Sequence, residues 1–557
     1  MIFRRVLQYL MLVMLAGFLA LFLLMPLFTV IGEGCSWQLI CEVFRSPVYV
    51  EGLANSFAIS LVTTAMVAVI SLFLALLYDR YDFAGKEYCS LLMLLPMILP
   101  PFVGALGFQQ ILGHYGVVNT LLVKCGIPRI DFLGGDGKFW SVCLIEALHL
   151  YPVFYLNLIT SLGNIDPALS DAAANLGANR WQRFLRIKLP LLKSGFLAGS
   201  SIVMVWSFTE LGTPLMFGYN RVTPVQIFNG LTELENNPLP YSLVLIMLVV
   251  SAGIYLTLRK IFGTPAGTAA VKGSMGSKAV KLAGFKRFMP SLAFLLVAFM
   301  SILPHLALLG AAFSLRWYDT ILPESFTLEH FGNALSNPLV LPSIVNSLRY
   351  SLLAMLIAIL CGTLTALSSS RWRLHGSGIL DLLSMLPLAI PGLVIAFGFL
   401  GMTARYAWAR EIFNPVDNPL WLLAIAYAVR RIPYVVRAVG SGLEQTPEEL
   451  ENAARNFGAG PVKTLFKITF PLIGANLLVG GLFAFSFSML EVSDSLILAQ
   501  KSIFFPITKA LLELSQILGS GPASASAFGV WAMFFLALTL AAAGILMGKK
   551  IGAIFKF

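Results

Sequence analysis

Apolar runs of about 20 residues, the length that crosses a bilayer, recur along the whole chain. The first extends from Val6 to about Ile31 behind Met1-Ile-Phe-Arg-Arg, and others fall near 55–78, 89–113, 140–163, 192–216 and 239–261. Gly263 to Lys286 breaks the pattern with Gly, Pro, Ser and Ala around Lys272, Lys278, Lys281 and Lys286, and Arg287 follows. That composition reads as a flexible basic linker. Runs resume near 289–314, 348–369, 380–404, 419–440, 474–499 and 526–548, ahead of Lys549-Lys550. The pattern predicts an all-α polytopic membrane protein of about twelve spans, with a first half over 1–262, a cytoplasmic linker over 263–287 and a second half over 288–557. An outer-membrane barrel would alternate polar and apolar positions in segments of about ten residues, and these runs do not.

Between the apolar runs lie two matching polar-edged segments. Asp166-Pro-Ala-Leu-Ser-Asp-Ala-Ala-Ala-Asn-Leu-Gly177 is followed by Ile187-Lys-Leu-Pro190. Thr446-Pro-Glu-Glu-Leu-Glu-Asn-Ala-Ala-Arg-Asn-Phe-Gly458 is followed by Ile468-Thr-Phe-Pro471. The offset is 281 throughout (458 − 177, 468 − 187 and 471 − 190). Each reads as a short helix. Asp166 and Thr446 are N-caps, Pro167 and Pro447 take the first helical position, and Thr446 with Glu449 fits a capping box. Leu169, Ala172, Ala173 and Leu176 form one narrow apolar stripe, repeated by Leu450, Ala453, Ala454 and Phe457. Gly177 and Gly458 end the helices.

The repeat extends further. Leu95-Pro96 through Pro100 to Gly107-Phe108 matches Leu386-Pro387 through Pro391 to Gly398-Phe399 at an offset of 291 (398 − 107), and Asn55-Ser56 matches Asn346-Ser347. His149-Leu-Tyr-Pro152 matches Arg430-Arg-Ile-Pro433, and Glu210 matches Glu491. Six spans per half keep both copies in one orientation. The halves are therefore expected to be related by a pseudo-twofold along the membrane normal, with a route between them.

Composition fits a membrane protein: 58% of residues are hydrophobic and 12% charged, against about a quarter charged in soluble domains. The net charge of +11 is not a nucleic-acid signature, because the basic residues sit beside apolar spans as the positive-inside rule requires. Counting spans from a cytoplasmic N-terminus, held by an uncleaved first span, puts both short helices, the linker and the C-terminus in the cytoplasm. Arg180, Arg183, Arg186, Lys188 and Lys193 flank the first short helix; Arg430, Arg431, Arg437, Lys463 and Lys467 are taken as flanking the second. No Gly-x-x-x-x-Gly-Lys-Ser/Thr loop is present, so ATP-driven transport would need its ATPase on another chain. The six cysteines hold no C-x-x-C, and Cys35 and Cys41 share a predicted outer loop, paired or free.

Charged residues at membrane depth face protein or water. Glu210 and Glu491, with Asp494 nearby, either line a route that suits a cationic solute or sit near the interface, reaching water or capping a helix. Glu146 and His149 share a helix face and read either as a polar pair in a route or, preferred, as a polar contact between helices. Pro100 and Pro391, with Pro96 and Pro387, interrupt spans in matching positions, either beside a route or as packing kinks.

At this point the chain resembles a known family. The twin segments look like the cytoplasmic loop Glu-Ala-Ala-x-x-x-Gly-x9-Ile-x-Leu-Pro of permease subunits of binding-protein-dependent ABC importers. Asp171, Ala172, Ala173, Gly177, Ile187 and Pro190 fit it with Asp for Glu; Asn452, Ala453, Ala454, Gly458, Ile468 and Pro471 fit with Asn for Glu and Phe470 for Leu. The fused double-length arrangement is similar to iron(III)-type and, more distantly, thiamine permeases. The resemblance implies that each short helix seats in a cleft of a cytoplasmic ATPase and transmits its closing to the spans. It implies two ATPase copies carrying ATP and Mg, no cofactor and no catalysis on this chain, a periplasmic or extracellular solute-binding protein, and a bacterial inner-membrane location. Ferric iron is the first expectation for the solute, with thiamine, a polyamine or a phosphonate as alternatives. An ion-coupled secondary transporter is the rival of another class, but it gives no reason for two matched cytoplasmic helices.

Overall fold

In hydrocarbon a backbone N–H or C=O finds no water, so a spanning segment must pair its own polar groups, and the helix does this within one segment. The computed structural model describes residues 2–98, 101–233, 237–262 and 279–547, and nearly all of its regular structure is helical. Among the described residues, eight helices are long and apolar enough to cross a membrane unbroken, and three bent pairs bring the count to as many as eleven. The twelfth expected span is the helix Leu420–Gln445. At about 1.5 Å per residue its 26 residues are long enough, but Arg430, Arg431 and Arg437 remove it from the apolar class.

Two compact units are present. The first contains residues 47–226, 249–262 and 279–328; the second contains 2–46, 227–248 and 329–547. The first span of each sequence half thus belongs to the unit built mainly from the other half. The expected linker falls mostly on residues 263–278, which lie outside the described residues. Its end lies in the first unit, where Val280–Lys281 pairs in parallel with Tyr81–Asp82.

In the first unit the helix Pro47–Arg80 packs along Gly137–Gly163 and Lys193–Phe208, and Met289–Phe313 packs on Pro101–Leu112. Val67, Leu74, Tyr151, Phe154 and Tyr155 meet Phe294 and Ala298 of that last-joining helix in one buried cluster. In the second unit Val340–Ser370 packs along Leu420–Gln445 and Phe470–Met489, while Met25–Gly34 lies against Gly392–Arg405. Leu15 and Leu19 from the N-terminal helix join Ala358, Ile432, Val435 and Val439 in its core.

Both units use the same device to admit the helix from the other half. A Cβ on Gly107 would overlap the Pro304 carbonyl oxygen, and one on Gly398 would come within 2.6 Å of the Pro26 carbonyl oxygen. These glycines are the matched pair seen in the sequence, so the close crossing belongs to the repeat. Asn55-Ser56 and Asn346-Ser347 also acquire a reason. Asn55 donates to the Arg221 carbonyl at 2.9 Å and Ser56 Oγ accepts from Thr223 N–H at 2.9 Å. Asn346 donates to the Ile503 carbonyl at 2.8 Å and Ser347 Oγ accepts from Ile507 N–H at 2.8 Å. Each pair ties down the loop that follows a glutamate-bearing break.

Gly107→Ala and Gly398→Ala are expected to cost about 1–3 kcal/mol each by overpacking. Thermal unfolding in detergent reads this, with Gly253→Ala as the neutral comparison because a Cβ there meets nothing within 4 Å.

Candidate functional site

The first short helix is Pro167–Asn175, and the Asp166 carboxylate caps it by accepting from Ala168 N–H at 2.9 Å. The second is Glu448–Asn456, and here the expected capping box is absent. Pro447 stands at the N-cap, and the Thr446 hydroxyl donates back to the Gly442 carbonyl at 2.9 Å. Thr446 thus closes the preceding helix rather than opening this one. Glu448, Glu449 and Glu451 in the first turn complement the helix dipole instead.

Both helices stop in the same way. Gly177 has φ +84° and Gly458 φ +81°, the left-handed region that disfavours a side chain. Ala178 N–H reaches back to the Ala173 carbonyl at 2.9 Å, and Ala459 N–H to the Ala454 carbonyl at 3.0 Å, which closes a Schellman turn. The expected apolar stripe is turned outward: Leu176 is 89% and Phe457 92% exposed, and Leu169 and Leu450 are about half exposed. Asp171, Ala172 and Gly177 are exposed and Ala173 half-buried, and Asn452, Ala453, Gly458 and Ala454 repeat this position for position. Ile187 and Ile468 are half-buried, Pro190 and Pro471 exposed. Ahead of each proline one wide π-type turn is inserted, Phe184–Lys188 and Leu465–Thr469.

The anchoring beneath the helices differs. In the first unit Lys188 pairs with Asp79 at 2.5 Å, at the end of the Pro47–Arg80 helix. In the second unit Thr469 occupies the place of Lys188 and donates to Glu451 at 3.1 Å. Glu451 is buried and also pairs with Arg371 at 3.2 Å and Arg455 at 3.3 Å. It therefore faces its own unit and does not replace the acid missing at Asn452.

The route candidates divide between the units. In the second unit Glu491 and Asp494 come together with Pro391. Glu491 lies between the helices Phe470–Met489 and Ser493–Leu498, and is buried. It pairs with both Arg430 and Arg431, and Arg430 also reaches Asp494 at 3.5 Å. The Arg430 guanidinium lies against Gly392, where a Cβ would not fit, directly after Pro391. Pro391 ends a break of 105° between Ser377–Leu388 and Gly392–Arg405. Both acids thus face arginines. Arg430 and Arg431, read from sequence as cytoplasmic flank charges, sit near the middle of the Leu420–Gln445 helix instead. The signal was present: two arginines inside an apolar run demand buried acids, and Glu491 and Asp494 were the acids at hand.

Glu210, the match of Glu491, is partly exposed and caps a short helix by accepting from Gly212 N–H at 3.1 Å and Thr213 N–H at 3.3 Å. Glu146 is buried and accepts from the Ser207 hydroxyl across two helices, the interhelical contact that the sequence suggested. Pro100 lies outside the described residues. Cys35 and Cys41 are free thiols.

Glu491→Gln leaves Arg430 and Arg431 short of a counter-charge and is expected to cost about 3–5 kcal/mol. Glu210→Gln keeps an acceptor oxygen for the cap and is expected to cost about 1 kcal/mol or less. Thermal unfolding of the two variants in detergent separates these outcomes.

Comparison with known proteins gives the family. Residues 69–263 and 354–547 each match the model described as binding-protein-dependent transport system inner membrane component. The ferric transport system permease protein FbpB of Actinobacillus pleuropneumoniae is 25% identical over 488 residues, 83% of this chain and 66%, just under two thirds, of that protein. The probable ABC transporter permease protein y4fN of Sinorhizobium fredii is 23% identical over 506 residues and covers 86% of each chain. The sulfate transport system permease protein CysT of Escherichia coli is 27% identical over 258 residues, 44% of this chain and 90% of that protein. With the match made twice and over more than half of its length, the chain belongs to the inner-membrane components of binding-protein-dependent transport systems.

Proposed function

We propose that this chain is the permease of an ABC importer that takes a small solute, ferric iron first, from a solute-binding protein and passes it to the cytoplasm. Two copies of a separate ATPase dock on Pro167–Asn175 and Glu448–Asn456. The observation that carries this reading is the pair of exposed, glycine-terminated helices whose apolar residues turn away from their own units. On polar-edged loops between the spans, Leu176 and Phe457 are nearly bare at matching positions, which a partner covering both would explain. ATP binding would favour one arrangement of its two copies, and the docked helices would pass that preference to the spans.

Ferric iron comes from the relatives. Those named as ferric permeases match across both halves of this chain, whereas the sulfate permease matches less than half of it. The two docking helices are unequal in this reading. Asp171 offers a carboxylate to a basic group of the ATPase and Asn452 an amide, so Asp171→Asn is expected to weaken ATPase binding more than Asn452→Ala.

The test is reconstitution in proteoliposomes with the cognate binding protein and ATPase. Iron uptake should require ATP inside the docking side. Replacing both Gly177 and Gly458 by Leu strains each turn by about 1–2 kcal/mol per residue and displaces the helices' last turns. The double variant should insert normally, keep its ATPase turning over and lose most uptake; unchanged uptake would overturn the role given to these helices.

A further inference from the structure

We propose that the first unit carries a binding site for a hard trivalent cation at the end remote from its docking helix, with the phenol oxygens of Tyr115 and Tyr318 as ligands and Asp319 and His114 beside them. It rests on the importer reading for the name of the cation, ferric iron, and not for its geometry. The helix Gly137–Gly163 has 27 residues and so spans about 40 Å. The docking helix follows its Gly163 end, and the loop carrying Tyr115 precedes its Gly137 end. In the import reading that loop faces the arriving solute.

The cluster joins two excursions of the chain. His114 and Tyr115 sit in the turn closed by Gly116 N–H on the Gly113 carbonyl at 2.9 Å. Tyr318 and Asp319 lie in the loop between the short paired strands Ser314–Arg316 and Ser325–Phe326. The two tyrosine rings stack with centroids 4.4 Å apart and 28° between planes. His114 meets the Tyr115 ring edge-on at 4.9 Å. The Arg129 guanidinium lies 4.5 Å from the Tyr115 ring centre and pairs with Asp319 at 2.7 Å.

The arrangement is held from the backbone. Asp319 N–H donates to the Tyr115 carbonyl at 3.1 Å, Gln110 donates to the Trp317 carbonyl at 2.9 Å, and the Thr120 hydroxyl donates to Asp319 at 3.3 Å. Asp319 has φ +57°, a conformation few non-glycine residues adopt and one that surrounding structure must enforce. Yet Tyr318 is 62% and Tyr115 40% exposed, so the enforced pair buries little apolar area. The construction keeps both tyrosines and His114 at the surface, with the Asp319 carboxylate held beside them by Arg129 and Thr120.

Hard, highly charged cations select oxygen donors, and a phenolate is a strong anionic one. Loading breaks two phenol O–H bonds and forms two metal–oxygen bonds; the protons leave to solvent and the metal keeps its oxidation state. Arg129 is a positioning residue that holds Asp319 beside the ring pair.

The second unit provides an internal comparison. Arg405 and Tyr406 stand where His114 and Tyr115 do (405 − 114 = 291), and Arg405 pairs with Glu33 at 2.7 Å. The ring beside Tyr406 there is Trp408, at 6.4 Å, which has no oxygen to offer.

The test is titration of the purified full chain with ferric nitrilotriacetate. A visible phenolate-to-iron charge-transfer band should grow to one iron per chain, with about two protons released. Tyr115→Phe and Tyr318→Phe keep the ring stack and should each weaken binding at least about tenfold, while Tyr406→Phe should leave it unchanged. Gallium(III) should compete. No band, or a band that survives both phenylalanine variants, overturns the site. ATP-driven iron uptake, measured separately on the wild type, tells the two readings apart. A band without uptake sinks the iron-import reading and leaves the site standing; uptake without a band sinks the site alone.

Discussion

Every part of this chain answers to one constraint: a backbone polar group that is not in a helix needs a specific partner when water is absent. The spans meet it internally. Where a span breaks, named side chains meet it instead. Glu210 takes the N–H groups of Gly212 and Thr213, and Thr508 donates to the Glu491 carbonyl at 2.8 Å. Asn55, Ser56, Asn346 and Ser347 satisfy the loops beyond. The breaks are thus fixed points of the fold.

The two units share this frame and differ in what they hang on it. Glu146, His149, Glu210 and Thr213 of the first unit stand where Tyr427, Arg430, Glu491 and Asp494 stand in the second. The second set forms one ion-paired cluster, in which Tyr427 reaches Ser495 at 2.6 Å. The first forms separate hydrogen bonds, Glu146 to Ser207 and Glu210 to the backbone. A buried arginine is tolerable only with its acids, so Arg430, Arg431, Glu491 and Asp494 constitute a single polar unit. The same holds beneath the two short helices, where Lys188–Asp79 in one unit is replaced by Arg371–Glu451–Thr469 in the other. The exposed faces of the two short helices match while their supports do not.

The repeats, the helical class and the two short helices with their glycine stops could be read directly from residue order, since hydrophobic period, capping chemistry and positive-φ glycines act over a few neighbours. Gly177 and Gly458 adopt the backbone conformation their type suggests. Local rules failed where a distant group competed. Thr446 is turned to Gly442 rather than to its own helix, and Arg371 holds its carbonyl at 2.5 Å. Arg430 and Arg431 read as flank charges because nothing within a few residues neutralises them; their acids lie some sixty positions on.

What residue order determined by itself is a chain of membrane helices made twice, with a matched pair of outward-facing handles, because these follow from periodicity and local backbone preference. What only the tertiary structure decided is which partners meet. The helix from each half that packs against Gly107 or Gly398, the acids that neutralise buried arginines, and the stacking of Tyr115 on Tyr318 join residues dozens to hundreds of positions apart. Such contacts depend on close approach and burial, which no local pattern encodes.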